Sequence, residues 1–305
     1  MRPPAEAIAA VGWIVGAIAL VILVGVEAVL VYSVWRFRAS RVTGPAPQIY
    51  GNNRLEIVWT AIPLVALAVV FMLMLGTMAE IGGSVPAGGP AAMRITATGN
   101  QWWWSFTYDR DGTPVVAANE LHIPVRTAVD LDLRSSDVIH SFWVPELGGK
   151  IDMIPGRSNP LRLYASRAGT YTGQCAEFCG VEHAWMRITV VAEPPDEFRR
   201  WLDAQASERP SPSGVAAEGE RVFVRTVCAS CHAIRGTSAV GLAGPDLTHV
   251  GSRLTLGAGV LRNSDAAMRR WIDNPQTIKP GALMPQVPLS QQELDALATY
   301  LRGLR

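Results

Sequence analysis

Soft metal ligands cluster in one short stretch in the middle of the chain. Cys175 and Cys179 are separated by three residues, and His183 and Met186 follow closely. Thiolate and thioether sulfurs are soft ligands, and imidazole also suits copper. One cysteine with two histidines and a methionine holds a single copper, whereas two cysteines let two coppers share one delocalised electron. The pattern predicts a copper site, with His140 upstream as the remaining ligand.

A structural zinc site with two cysteines and two histidines is the main alternative for this stretch. Zinc has no need of Met186, and the histidines of a zinc site usually lie close together in sequence. His140 lies far upstream of the other ligands. A buried, unreactive cysteine pair is the second alternative. The ligand types therefore favour copper.

A second redox motif lies near the C-terminus, at residues 228–232, with the sequence Cys-Ala-Ser-Cys-His. Two thiols with two residues between them, followed by histidine, form the attachment motif of c-type haem. Cys228 and Cys231 would bond to the haem vinyl groups, and His232 would bind the iron. A redox dithiol or a zinc knuckle is the alternative.

The sixth iron ligand is expected to be methionine, which raises the reduction potential. Met284, in Leu283-Met284-Pro285, is the predicted ligand. Met268 lies at helical spacing and is predicted to belong to the core. His249 is the remaining alternative.

The amino-acid composition limits the kinds of protein that this chain could be. The chain has 305 residues, of which 49% are hydrophobic and 17% charged, so it is apolar for a soluble protein and long enough for several domains. The net charge of +1 predicts no general polyanion partner, and no nucleic acid in particular. All four cysteines fall in the two motifs, so no disulfide is predicted.

Two long apolar runs, at about 8–35 and 57–78, predict a transmembrane hairpin within residues 1–81. At about 1.5 Å per residue, 22 residues span roughly 33 Å, enough for a hydrocarbon core of about 30 Å. A cleaved signal peptide is the alternative for the first run. Arg2 alone would form its basic region, and the run is too long for the apolar part of a signal.

The loop between the two runs is basic, which predicts that it is cytoplasmic and that both termini are extracytoplasmic. Glu27 lies inside the first run, where a buried acid is usually paired, and a structural contact is expected. Glu56 lies at the cytoplasmic end of the second run. A solvated helix cap and a functional group are both possible interpretations of this residue. The basic loop residues are Arg36, Arg38, Arg41 and Arg54.

Residues 91–193 follow a Gly- and Pro-rich linker at 82–90 and predict a β-sandwich. Side chains alternate along a strand, so the three consecutive tryptophans at 102–104 cannot all point inward. At least one is expected to face outward or toward a partner. The predicted strands are 93–98, 102–108, 128–133, 161–164, 169–173 and 186–191.

The hairpin and the β-sandwich together resemble subunit II of cytochrome c oxidase, whose β-sandwich is cupredoxin-like. The resemblance rests on motifs of high specificity. These are Gln101-Trp102-x-Trp104-Ser105, Asp137-Val138-x-His140-Ser141-Phe142, Ile154-Pro155-Gly156-Arg157 and Gly173-Gln174-Cys175-x-Glu177-x-Cys179-Gly180-x-x-His183-x-x-Met186.

This resemblance implies a binuclear CuA centre. It also implies that the Glu177 carboxylate reaches a magnesium ion at the boundary with subunit I, and that electrons enter through Trp102. Glu56, in Leu55-Glu56-Ile57-x-Trp59-Thr60, would mark the cytoplasmic mouth of a proton pathway shared with subunit I. Asp152 matches an acid near the subunit interface. The implied copper ligands are bridging Cys175 and Cys179, terminal His140 and His183, weakly bound Met186 and the backbone carbonyl of Glu177.

Residues 194–213 predict a short helix and a polar tether, and residues 214–305 resemble a class I cytochrome c. The resemblance rests on a helix, the haem motif, Gly244-Pro245-Asp246-Leu247, a second helix, Met-Pro and a last helix. Pro245 matches the proline that supports the iron-bound imidazole. The small and aromatic residues where the first and last helices cross are Gly219, Phe223 and Tyr300.

The charges of the two redox modules differ in sign. Residues 92–193 carry nine basic and eleven acidic residues, whereas residues 214–305 carry ten and seven. Opposite charges would steer the tethered cytochrome onto the copper domain. Tethering would also raise its effective concentration, to about the mM range.

The expected protein is a multidomain membrane protein, subunit II of a caa-type cytochrome c oxidase in a bacterial plasma membrane. It would cross the membrane twice, with both redox domains outside the cytoplasm. Its expected partners are subunits I and III and an external electron donor, such as a cytochrome or a respiratory complex. The alternative is a CuA and haem c electron-delivery subunit of a nitric-oxide reductase.

Overall fold

The computed structural model describes residues 4–38, 41, 44, 48, 50–84, 93–110, 112–207, 209 and 211–305. The chain divides into two compact units, Arg2–Ser84 and Val85–Arg305. The first unit contains two long helices, α1 (Pro4–Arg36) and α2 (Asn53–Ser84). Every other helix and strand belongs to the second unit.

The two long helices are apolar and expose their side chains along most of their length. Their segments Ala5–Arg36 and Asn53–Ala79 contain 32 and 27 residues. At about 1.5 Å per residue, both exceed a hydrocarbon core of about 30 Å. They contain the predicted spans 8–35 and 57–78 and extend beyond them at both ends.

Helix α2 begins at a side-chain cap. The backbone N–H groups of Arg54 and Leu55 donate to Asn52 Oδ1 at 3.1 and 3.3 Å. Such a cap satisfies amide groups that have no partner inside the helix. At its other end α2 continues to Ser84, so the predicted linker at 82–90 begins as helix; its residues 85–90 lie outside the described residues.

Two five-stranded sheets form the predicted β-sandwich, in the orders β3-β2-β1-β5-β8 and β4-β10-β9-β6-β7. Alternate side chains of β2, those of Trp104, Phe106 and Tyr108, are fully buried between the sheets. The strands are β1 (Met93–Asn100), β2 (Trp103–Arg110), β3 (Thr113–Ala118), β4 (Glu120–Pro124), β5 (Val129–Ser135), β6 (His140–Trp143), β7 (Ile151–Met153), β8 (Asn159–Leu163), β9 (Gly169–Cys175) and β10 (Arg187–Glu193).

Each of the six predicted strands occurs, with ends shifted by a few residues, and the sandwich contains four further strands that were not predicted. All five side chains of β4 are buried, so this strand lacks the alternation that marks a half-exposed strand. Strands β6 and β7 contain only four and three residues, too few for a periodic pattern. Strand β3 was also missed.

Helix α3 (Pro195–Ala206) covers one part of the sandwich, as the predicted short helix. Phe198 and Leu202 belong to the core of the sandwich. Trp201 stacks on His122 with ring centroids 4.0 Å apart and planes 7° apart. The helix therefore belongs to the copper-site domain by packing, although it follows the last strand.

The C-terminal region is helical and has its own core. Helices α4 and α7 cross at Gly219, where an added Cβ would lie 2.1 Å from the carbonyl oxygen of Ala296. Phe223 and Tyr300 meet edge to face beside this crossing. The elements are α4 (Val215–Arg225), α5 (Cys228–Cys231), β11 (Thr255–Leu256), β12 (Leu261–Arg262), α6 (Asp265–Asp273) and α7 (Gln291–Gly303).

The fold class is therefore as predicted: two apolar helices, a β-sandwich and a helical cytochrome-like domain. Separate cores underlie the sandwich and the helical domain. Both nevertheless lie in one compact unit, so their relative position is part of the fold.

Candidate copper and haem sites

Strand pairing brings the distant His140 to the cysteine loop. Strand β6 pairs antiparallel with β9, and Phe142 lies opposite Cys175. Strand β9 then leads into the loop that carries Cys179, a single 3₁₀ turn at His183–Trp185 and Met186. The order of strands β10-β9-β6 thus joins residues from two separate parts of the sequence at one end of the sandwich.

All the predicted copper-binding side chains converge at this end. The Nδ1 atom of His140 lies 3.8 Å from Cys175 Sγ, and that of His183 lies 3.6 Å from Cys179 Sγ. Met186 Sδ lies 3.9 Å from Cys179 Sγ. The ligand atoms of His140, Cys175 and Cys179 lie within 4.8 Å of one another. Two ligands of one metal, each bound at about 2.0–2.3 Å, are roughly 3–4.6 Å apart, so separations of 3.6–3.9 Å suit shared metal ions.

The backbone carbonyl of Glu177 also faces the site. Its oxygen accepts a hydrogen bond from the Cys175 thiol, with a separation of 3.2 Å. Cys175 and Cys179 are both buried and unbridged. Two soft sulfurs, two imidazoles and a thioether match copper better than zinc, which does not require the thioether.

Asp137 orients the first imidazole. Its Oδ1 lies 2.8 Å from His140 Nε2, and the ring is fully buried. Burial disfavours the charged imidazolium, but hydrogen bonds with Cys175 and Asp137 outweigh it and raise the pKa of His140. A carboxylate on one ring nitrogen leaves the other nitrogen as the ligand atom and increases its basicity.

The two thiols titrate as a pair in the protein alone. The hydrogen bond from the Cys179 thiol holds the pKa of Cys175 far below its usual range, and His140 contributes to the same shift. The Cys175 thiolate in turn raises the pKa of Cys179. Cys175 therefore loses its proton easily, whereas Cys179 loses its proton only when a positive charge compensates. Metal ions provide that charge.

A cavity in the helical domain collects the predicted haem-binding residues. Cys228, Cys231, His232 and Met284 all line it, and it holds about 1400 Å³ of space including its open mouth. Met268 is buried in the core of the domain and forms part of the wall. A mostly apolar cavity with two thiols, an imidazole and a thioether fits a covalently attached haem.

Pro245 fixes the orientation of the second imidazole. His232 Nδ1 donates to the Pro245 carbonyl oxygen at 2.8 Å. Burial lowers the pKa of His232, and the Pro245 carbonyl opposes part of this shift. A neutral ring that donates through Nδ1 keeps its Nε2 lone pair for a metal. His249 is buried but does not line the cavity.

Family models match the chain in three consecutive segments. Residues 3–75 match the transmembrane domain of cytochrome c oxidase subunit II, residues 113–193 match its periplasmic domain, and residues 216–305 match cytochrome c. Cytochrome c oxidase subunit 2 of Alkalihalophilus pseudofirmus is 39% identical over 262 residues, which cover 85% of this chain and 75% of that relative.

The chain belongs to the cytochrome c oxidase subunit II family.

A second relative and one solved structure are also similar to this chain. Cytochrome c oxidase subunit 2 of Bacillus subtilis is 33% identical over 294 residues, which cover 90% of this chain and 82% of that relative. The crystal structure of the periplasmic domain of subunit II from Bradyrhizobium japonicum is 34% identical and covers 39% of this chain and 96% of that chain, with a TM-score of 0.37.

Membership in the subunit II family confirms the resemblance inferred from the motifs. The chain is a membrane protein and a subunit of an oxidoreductase, with a C-terminal cytochrome c domain. The family implies copper in the CuA form, haem c and assembly with subunit I. Its general role is that of an electron-transfer subunit of a haem-copper oxidase.

Trp102 lies between the two sites of this subunit II. Its indole Nε1 donates to the Cys179 carbonyl oxygen at 2.9 Å, and the Gln101 side-chain amide donates to the same oxygen at 2.7 Å. Trp102 and Trp103 also line the haem cavity, while Trp104 is fully buried in the sandwich. The expectation that the three tryptophans cannot all point into the core is confirmed, since Trp102 and Trp103 are only half-buried.

Gly180 makes room for Trp102. Its φ is +119°, and an added Cβ would lie 2.9 Å from Trp102 Cζ2. Only glycine adopts this backbone conformation at low cost. Both the backbone conformation and the nearby indole of Trp102 therefore favour glycine at position 180.

The carboxylates of Glu177 and Asp152 share one cation. Lys150 Nζ lies 3.6 Å from Glu177 Oε2 and 3.4 Å from Asp152 Oδ1. All three side chains are nearly half exposed. Both acids therefore lie at an accessible face next to the copper loop.

Glu56 lies in the first, exposed turn of α2, beside the Asn52 cap. An acid in the first turn of a helix interacts favourably with the helix dipole. Glu27 lies within α1 and is exposed in this chain.

Sequence reasoning missed three residues of the sites. Asp137 was noted only as part of a motif, although its spacing of three residues from His140 could have suggested a hydrogen bond. Glu182 and Lys279 were not singled out at all. Both are buried charged residues, and burial of a charge that depends on tertiary packing leaves no signal in a single sequence.

Proposed function

We propose that this subunit passes electrons from an external donor through covalent haem c to binuclear CuA and on to subunit I. Oxygen would be reduced to water there, with proton pumping. The supporting observation is that Trp102 contacts the copper loop by a hydrogen bond and also lines the haem cavity. One residue therefore links two sites that would otherwise be separate.

At the copper site, the thiolates of Cys175 and Cys179 and the imidazoles of His140 and His183 would hold two coppers. Met186 and the Glu177 carbonyl would be weaker ligands. Bound copper and bound haem supply reversible one-electron chemistry. The rigid sandwich holds the ligands in place, and Asp137 keeps the His140 ring in one orientation.

In the haem cavity, Cys228 and Cys231 would hold the haem through thioether bonds, and His232 and Met284 would bind its iron. The Pro245 carbonyl holds the His232 ring through Nδ1. The mostly apolar side chains that line the cavity would surround a bound haem with a medium of low polarity, which favours a high reduction potential.

Glu177 is proposed to bind magnesium at the boundary with subunit I. Its carboxylate lies near that of Asp152, with Lys150 between them. In the assembled complex a divalent cation and ligands from subunit I would complete the site, because magnesium prefers oxygen ligands. Glu56 is proposed to form the cytoplasmic mouth of a proton pathway shared with subunit I.

The proposed topology has α1 and α2 spanning a bacterial plasma membrane, with both termini and both redox domains outside the cytoplasm. The basic loop between the helices supports it. Subunit III and an external donor, such as a cytochrome or a respiratory complex, are proposed as further partners.

Purification of the native complex tests this function. We expect oxygen consumption, a pyridine haemochrome spectrum of haem c, and an EPR signal with hyperfine structure from one electron shared by two coppers. Zinc in place of copper would refute the copper assignment. Nitric-oxide reduction without oxygen consumption would favour the alternative reductase.

A further inference from the structure

Lys279 of the cytochrome domain is buried against the copper domain. Its side chain is 4% exposed, and Nζ donates to the backbone carbonyl oxygen of Trp102 at 3.1 Å. A buried ammonium group is costly unless it is paired and hydrogen-bonded. The contact therefore holds a specific position of one domain on the other.

Glu182 supplies a negative charge on the copper side. Its carboxylate is 1% exposed, and Oε2 lies 3.9 Å from Lys279 Nζ. Among the described residues, this oxygen has no hydrogen-bond partner. Gly281, two residues after Lys279, lies against the neighbouring Val181. Two buried charges of opposite sign thus face each other across the domain boundary.

Other contacts flank this pair. Glu120 Oε1 accepts a hydrogen bond from the backbone N–H of Thr255 at 2.9 Å. The backbone N–H of Arg187 donates to the Ala258 carbonyl at 3.2 Å. Glu120 and Arg187 begin the neighbouring strands β4 and β10. Several hydrogen bonds therefore hold the two domains together at this boundary.

The predicted tether is also bound. Arg209 pairs with Glu220, and its side chain is only 11% exposed. Arg235 donates to the backbone carbonyls of Ala206 and Gln205 at 3.0 and 3.1 Å. These contacts shorten the part of the linker that could allow the cytochrome domain to swing.

We propose that Lys279 and Glu182 are positioning residues that keep the cytochrome domain docked on the copper domain, with the haem cavity against Trp102. Electron transfer between the domains then needs no diffusional search. The consequence for electron transfer rests on the proposed function, whereas the docking itself does not. Buried contacts are screened little by salt, so docking should not depend on ionic strength.

Lysine labelling tests the docking directly, because the chain contains two lysines, Lys150 and Lys279. The full chain with haem attached, in detergent, is treated with an acetylating reagent and analysed by mass spectrometry. Lys150 is 48% exposed, whereas Lys279 is 4% exposed. An accessible Lys279 would react about as readily as Lys150, so slow labelling of Lys279 would indicate that its side chain is shielded.

We expect Lys279 to be labelled at least roughly tenfold more slowly than Lys150, at both about 0.05 M and about 0.5 M salt. Glu182→Gln should accelerate labelling of Lys279 and leave that of Lys150 unchanged. Equal labelling of both lysines, or loss of protection at high salt, overturns the proposal. Unchanged protection in Glu182→Gln overturns the role of that residue.

The second measurement is the rate of electron transfer from haem to the copper site after photoreduction. Lys279→Met should slow this rate and make it sensitive to salt, with unchanged copper EPR and haem absorption. Lys279→Arg, which keeps a donor, should restore much of it. Arg221→Met, at an exposed position on α4, is the matched control. An unchanged, salt-independent rate in Lys279→Met overturns the proposal.

These outcomes separate the two proposals. Protected Lys279 in a chain without a copper signal would overturn the proposed function and support docking. Rapid labelling of Lys279 in a chain with a normal two-copper signal would overturn the docking and support the proposed function.

Discussion

The indole nitrogen of Trp102 donates a hydrogen bond to the carbonyl oxygen of Cys179, at 2.9 Å. The same tryptophan lines the haem cavity. A short path of bonded and hydrogen-bonded atoms therefore connects the cavity wall to a predicted copper ligand.

Trp102→Phe keeps an aromatic ring but removes this hydrogen bond. We expect the haem-to-copper electron transfer rate to fall roughly tenfold, the effect of a barrier higher by about 1.4 kcal/mol. Photoreduction with time-resolved absorption measures the rate, and EPR shows whether the copper site is intact. Trp201→Phe, on α3 at the sandwich surface, is the control. An unchanged rate in Trp102→Phe would mean that the path avoids this residue.

Asp137→Asn tests the orientation of His140. The amide can no longer hold the ring as a carboxylate does, so copper affinity should fall by about 10–100-fold. Competition with a copper chelator measures the affinity. Asp196→Asn, at an exposed ion pair on α3, should leave it unchanged. Equal copper affinity in both variants would contradict a role for Asp137.

Gly180→Ala tests the space beside Trp102. A residue with a side chain is strained at this φ of +119°, and its Cβ would press on the indole. We expect a loss of about 1–3 kcal/mol in the free energy of unfolding, together with an altered copper EPR spectrum. Gly148→Ala, where an added Cβ would meet nothing within 4 Å, is the matched control. The prediction is wrong if both variants unfold alike.

Acid should weaken the cross-strand pair of Asp130 and Arg162. The two groups face each other on β5 and β8, with contacts of 2.5 and 3.0 Å. The hydrogen bond from Arg162 holds the pKa of Asp130 below its ordinary value. The pair therefore stabilises the fold above the unfolded-state pKa of about 3.9, and this contribution is lost as pH falls through the lower folded-state pKa.

Asp130→Asn should accordingly cost less than about 1 kcal/mol at neutral pH, because the pair is partly exposed. The cost should disappear at a pH well below the folded-state pKa. Denaturant unfolding of the wild-type and variant chains at both pH values measures the difference. A cost that persists in acid would show that it arises from packing.

The local motifs were the most informative part of the sequence. The haem motif, the cysteine loop and the apolar runs each encode their chemistry in short stretches, so ligand types, spans and the family could be predicted. The half-buried strands were also predictable, because their side chains alternate. The buried strand β4 and the short strands β6 and β7 were not.

Sequence alone thus predicted which residues would bind copper and haem, and it determined that two helices are long and apolar enough to span a membrane. Only the tertiary structure decided how the two redox domains meet. Lys279 and Trp102 are 177 residues apart in the chain and 3.1 Å apart in space. Such a contact depends on how two separate hydrophobic cores pack against each other. No periodicity or residue spacing within either domain predicts it.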